Sequence, residues 1–114
     1  MKDRWVLLAE DDKLFATLFG RFWKERFPDI PLVCVGTVSG AREELKNREA
    51  PLVAILDHTL EDGTSEHLYS ELSCPSLLWS ACAEGELQAK PTGRDELTTA
   101  VRKVGEMGGL VPPQ

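Results

Sequence analysis

The run Pro51-Leu52-Val53-Ala54-Ile55-Leu56 closes on Asp57, and no other segment narrows the fold as far. A run of that length, bounded by Pro51 on one side and Glu61-Asp62-Gly63 on the other, reads as a fully buried strand. An acid at the carboxyl end of such a strand stands where open parallel sheets place their ligand crevices. Asp57 is therefore both the end of a core element and the first candidate for chemistry.

Strand-like and helical patterns alternate around it. Lys2 to Ala9 reads as a first strand. A helix follows from about Asp12 to Phe27, with Leu14, Phe15, Leu18, Phe19, Phe22 and Trp23 at helical spacing, Asp12 as its cap and Pro28 as its stop. That apolar set is wider than one core-facing stripe requires. The reading is a helix wedged tightly against a sheet, with Trp23 or Phe27 on a partner surface as the alternative. Leu32 to Val35 gives a second strand, and a helix capped by Ser39 runs through Lys46. After the Asp57 strand, Gly63 marks a turn and Thr64 to Leu72 a modest helix. Ser76 to Ser80 is a fourth strand, and Arg94 to Met107 a final helix ended by Gly108-Gly109. Such alternation argues for a parallel sheet with helices on both faces.

The remaining classes fall away on composition. The 114 residues suit one domain, read as 1–107 with a flexible tail at 108–114. A net charge of −6 gives no electrostatic case for nucleic acid or an anionic membrane. No stretch approaches the roughly 18 apolar residues that span a bilayer, and no signal-peptide pattern precedes the first strand. Cys34, Cys74 and Cys82 are odd in number and form no close pair, which fits reduced thiols in a cytoplasmic protein.

Polar groups gather at the predicted strand ends. Glu10-Asp11-Asp12 follows the first strand, Ser80 ends the fourth, and Lys90 lies in Leu87-Gln88-Ala89-Lys90-Pro91. Singly each has an ordinary explanation: a helix cap, a turn hydroxyl, a surface lysine. Jointly they bring acids, a hydroxyl and an ammonium to one rim. Asp11 and Asp57 are hard oxygen ligands of the kind Mg²⁺ takes. A cation lowers the cost of ionising clustered carboxylates and leaves Asp57 free to attack phosphorus. A lysine and a hydroxyl can then hold the transferred oxygens. His58 and His67 read as surface histidines, and Trp79 as core or edge packing.

From Arg4 to about Glu106 the chain resembles the response-regulator receiver domains of two-component signalling. Glu10-Asp11 matches the family's acidic pair. Leu56-Asp57-His58-Thr59-Leu60-Glu61-Asp62-Gly63 matches its phosphoacceptor segment, Ser80-Ala81 its hydroxyl–small pair, and Lys90-Pro91 its lysine–proline dipeptide. The resemblance implies a flavodoxin-like, doubly wound, five-stranded parallel α/β sheet. It also implies Asp57 as phosphoacceptor, Asp11 as direct Mg²⁺ ligand, Glu10 acting through water and the Thr59 carbonyl as a further ligand. Ser80 and Lys90 would contact the phosphoryl group, and the Lys90–Pro91 bond is often cis in that family.

Departures from the family pattern shape the rest of the expectation. Glu61 stands in place of a usual proline and Ser65 in place of a common glycine, at positions touching no expected ligand. Thr92 replaces a frequent phenylalanine, and Leu87 occupies the place of the switch aromatic. Cys82 falls where family members vary the control of water access. Lys90 follows Ser80 by only ten positions, which is short for a helical crossover. The family's fourth helix is therefore expected to be missing or reduced to a turn. A stand-alone receiver follows, phosphorylated on Asp57 by a histidine kinase or phosphotransferase and signalling to an unknown downstream protein. It would be a monomer or weak dimer, with no enzymatic activity beyond Mg²⁺-dependent self-phosphorylation and autodephosphorylation. The alternative is a degenerate receiver that acts as a phosphorylation-independent binding module.

Overall fold

The computed structural model describes residues 4–80 and 88–111. Within them a five-stranded parallel sheet is built from β1 (Val6–Ala9), β2 (Leu32–Val35), β3 (Val53–Asp57), β6 (Ser76–Ser80) and β7 (Gln88–Ala89), in the order β2-β1-β3-β6-β7. Helices α1 (Lys13–Arg26), α2 (Val38–Asn47), α3 (Glu66–Glu71) and α4 (Arg94–Met107) flank it. A two-stranded ribbon, β4 (Thr59–Leu60) with β5 (Gly63–Thr64), bridges β3 and α3.

Period-two alternation divides the sheet into two cores. From β1, Val6 and Leu8 join Ile55, Trp79 and the apolar residues of α1 and α4. Leu7 and Ala9 face the other way, with Leu56, Leu78, Ala41 of α2 and Leu68 of α3. Covering both faces explains why β1 and the first four residues of β3 are fully buried. The wide apolar face of α1 is core: Trp23 and Phe27 are buried, and the Trp23 indole donates to the Ile30 carbonyl at 2.8 Å. The partner-surface alternative for these two residues is thereby set aside.

Several boundaries move from their expected places. β1 begins at Val6 rather than Lys2, since Arg4 and Trp5 are outside the strand and residues 1–3 lie outside the described residues. α2 starts at Val38 and is capped by Thr37, whose Oγ1 accepts from the Gly40 N–H at 2.9 Å; Ser39 is already inside the helix. α3 is shorter than predicted because Thr64 pairs in the ribbon opposite Thr59. At the end of α4, Gly109 takes φ +71°, and the Leu110 N–H closes on the Gly105 carbonyl at 2.8 Å. Leu110 is 7% exposed and packs into the α1/α4 core, so the chain remains attached beyond residue 107.

β6 ends at Ser80 and β7 resumes at Gln88. The expectation of a lost fourth helix falls on the intervening residues 81–87, as do Cys82 and Leu87, and these lie outside the described residues. Four helices are present among the described ones, none long and apolar enough to cross a membrane.

Candidate functional site

The sheet order reverses at β1, which has β2 on one side and β3 on the other. Open α/β sheets form their crevice at such a point, beyond the carboxyl ends of the strands. Glu10 leaves β1 there with its N–H on the Val35 carbonyl at 2.8 Å. Asp57 is the last residue of β3, and Trp79 of β6 is its register partner, which sets Ser80 one step further along the neighbouring strand. The Lys90 N–H donates to the Ser80 carbonyl at 3.0 Å, fixing the exit of β7 beside β6.

One ligand oxygen each from Glu10, Asp11 and Asp57 lies within 4.8 Å of the others. Lys90 Nζ makes an ion pair with Glu10 Oε1 and lies 3.6 Å from Asp57 Oδ2. Asp12 turns away from this cluster to cap α1, accepting from the Leu14 and Phe15 N–H groups at 3.0 and 3.2 Å. Its own N–H donates to Glu10 Oε2 at 3.0 Å, so the cap and the cluster share a turn. Three carboxylates of graded exposure (Glu10 buried, Asp57 half-buried, Asp11 exposed) suit a hard divalent cation that keeps part of its water shell.

The electrostatics follow from that crowding. Burial pushes the Glu10 carboxyl up to about 7, with Asp57 adding to the shift while Lys90 and the Asp12 N–H act against it. Burial disfavours the charged form of Lys90, but Glu10 and Asp57 outweigh it and raise the lysine above its usual value. The ammonium is thus held charged beside Asp57. It also lies over the Phe15 ring, 4.5 Å from the centroid.

Thr59 opens β4 two residues past Asp57, and its side chain is exposed. Ser80 ends β6 half-buried. No peptide bond among the described residues is cis, so the Lys90–Pro91 bond is trans, contrary to the family tendency.

Three neighbours acquire roles that the sequence did not reveal. Ser65 is fully buried, and its Oγ donates to the Asp57 carbonyl at 2.5 Å, so this departure from the family pattern does touch Asp57. Asp62, read only as part of a turn, reaches across to α2 and accepts from the Val38 and Ser39 N–H groups at 2.7 and 3.1 Å. His58 is half-buried rather than open to solvent, with Nε2 2.5 Å from Glu66 Oε1 and Nδ1 3.2 Å from Thr59 Oγ1. His67 is exposed and pairs with Glu71, four residues on. The useful signal for Ser65 was the exchange of a glycine for a hydroxyl close after Asp57; Asp62 gave none beyond its turn.

No protein-family model and no curated protein matches the sequence. Solved structures do resemble the fold. The phosphorylated cyanobacterial phytochrome response regulator RcpA aligns over all of both chains, with TM-score 0.76 and 14% identity. The Mn²⁺-bound response regulator Rcp1 gives TM-score 0.72 and 18% identity, over 96% of this chain and 99% of that one. The non-phosphorylated HemR receiver domain from Leptospira biflexa gives TM-score 0.69 and 24% identity, over 99% of each chain. With its 2-1-3 strand order, its continuation through β6 and β7 and its helices on both faces, this chain has the fold of the response-regulator receiver domains.

Proposed function

We propose that the chain is a receiver domain that accepts a phosphoryl group on Asp57, with Mg²⁺, from a histidine kinase or histidine phosphotransferase. The observation that carries this reading is the single rim of Glu10, Asp11 and Asp57, with the Lys90 ammonium 3.6 Å from the Asp57 carboxylate. Response regulators of the same fold add a consistent precedent, one of them phosphorylated and another Mn²⁺-bound.

Each group has a part set by its chemistry. An Asp57 oxygen forms the new bond to phosphorus as the bond to the donor's leaving atom breaks, and the electron pair departs with the donor. Lys90 neutralises the transferred oxygens, and the Ser80 hydroxyl donates a hydrogen bond to them. Asp11 and Asp57 would hold the cation through their carboxylates, with the Thr59 carbonyl as a further oxygen ligand and Glu10 acting through water. When bound, Mg²⁺ offsets the repulsion among the carboxylates and the phosphoryl oxygens. Hydrolysis of the Asp57 acyl phosphate by water returns the domain to its starting state. Signalling runs through contact with a downstream protein rather than through chemistry on an outside substrate. The setting is cytoplasmic, with neither nucleic acid nor membrane as partner.

Fluorine NMR with beryllofluoride, a phosphoryl mimic, tests the reading. Bound beryllofluoride signals that require Mg²⁺ and vanish in Asp57→Asn are expected. Their absence from the wild-type chain would leave the phosphorylation-independent binding module as the better account.

A further inference from the structure

The environment of the Lys90 ammonium is asymmetric. Carboxylates of Glu10 and Asp57 lie beside it, and the Phe15 ring face lies against it at 4.5 Å. Phe15 is itself fixed. The Asp12 cap holds its N–H, Phe19 stacks on its ring at 6.2 Å and 25°, and Trp79 meets it nearly edge-on at 5.8 Å and 88°. Trp79 is in turn the register partner of Asp57. The ring therefore shares a framework with the acceptor, and the flexible lysine stem lies against it.

A π face has properties that this position needs. It attracts a cation, more strongly where water is partly excluded. It takes none of the three ammonium N–H groups away from oxygen acceptors. A carboxylate in its place would compete with phosphoryl oxygens for the ammonium, and an aliphatic chain would leave the four-carbon stem free to wander.

We infer that Phe15 is a positioning residue of the phosphoryl-transfer site, its ring holding the Lys90 ammonium within reach of Asp57. The role rests on the phosphoacceptor reading above. Lys90 keeps its seat on the ring while its N–H groups exchange the Glu10 carboxylate for the oxygens of the incoming phosphoryl group.

A series at position 15 tests it: Phe15→Leu, Phe15→Tyr, and site-specific replacement by mono-, di- and trifluorinated phenylalanine. Fluorination drains the ring face while nearly keeping its shape. Two readouts are taken, the proton shifts of the Lys90 ε-methylene and the rate of phosphorylation by acetyl phosphate with Mg²⁺. The expected results are an upfield ring-current shift in the wild type that Phe15→Leu abolishes, and a rate lowered roughly 3- to 10-fold in Phe15→Leu. The rate should fall stepwise with fluorination and recover in Phe15→Tyr. Wild-type rates in both the leucine and trifluorinated proteins would overturn the inference, as would an unshifted Lys90 methylene. A wild-type chain that gains no phosphoryl group overturns the phosphoacceptor reading and this role with it. The Lys90 shift distinguishes that failure, since it reports the ring contact without phosphorylation.

Discussion

At the scale of single residues, Asp57 is held through its backbone as well as surrounded by charge. The Ser65 hydroxyl bonds the Asp57 carbonyl from a fully buried position, and the Ser65 N–H bonds the His58 carbonyl at 2.9 Å. Removing the hydroxyl deletes one buried hydrogen bond, so Ser65→Ala should lower unfolding free energy by about 1 kcal/mol in urea denaturation. The same variant should bind beryllofluoride more weakly, because the carboxylate loses one constraint on its backbone. Glu10, Asp11, Asp57 and Lys90 were legible because each stands at or just past a strand end, where sequence order alone predicts convergence. The contacts of Ser65 with Asp57 and of Phe15 with Lys90 were not legible in this way. A hydroxyl on a carbonyl eight residues away, or a ring under an ammonium 75 positions on, leaves no periodic trace in the chain.

At the scale of elements, two helix contacts carry the clearest consequences. Asp62 ties the ribbon to the N-terminus of α2, and its bonds to the Val38 and Ser39 N–H groups hold its carboxyl below the ordinary value. A depressed acid contributes stability above its unfolded pKa and loses that contribution as pH falls through the folded value. Asp62→Ala should therefore have a lower thermal midpoint than wild type at neutral pH. The gap should narrow as pH drops below about 4. A gap unchanged by acid would assign the loss to something other than the charged cap.

The second contact is between α1 and α4. A Cβ placed on Gly105 would lie 2.2 Å from Phe27 Cζ, so the two helices meet at a ring against bare backbone. Alanine gains up to about 1 kcal/mol of helix propensity over glycine. Overpacking costs about 1–3 kcal/mol, and Phe27 is walled in by Trp23 at 4.7 Å. Gly105→Ala should thus be net destabilising in denaturant titration, with recovery when Phe27→Leu opens space. The long helices were legible from periodicity and caps, and α4 has the predicted bounds. The ribbon was not, because two-residue strands carry no pattern and the turn 61–62 is set by pairing across it.

At the scale of the molecule, the sheet explains why one acidic rim exists at all. Apolar alternation sends β1 into two cores at once, and the 2-1-3 order opens the crevice between the ends of β1 and β3. That architecture was legible because a strand buried on both faces admits few alternatives. The central claim is that this rim makes Asp57 a phosphoacceptor. Intact-mass measurement after incubation with acetyl phosphate and Mg²⁺ tests it most directly. One added phosphoryl group is expected on the wild-type chain and none on Asp57→Asn; an unmodified wild-type mass, or the same gain in Asp57→Asn, would contradict the claim.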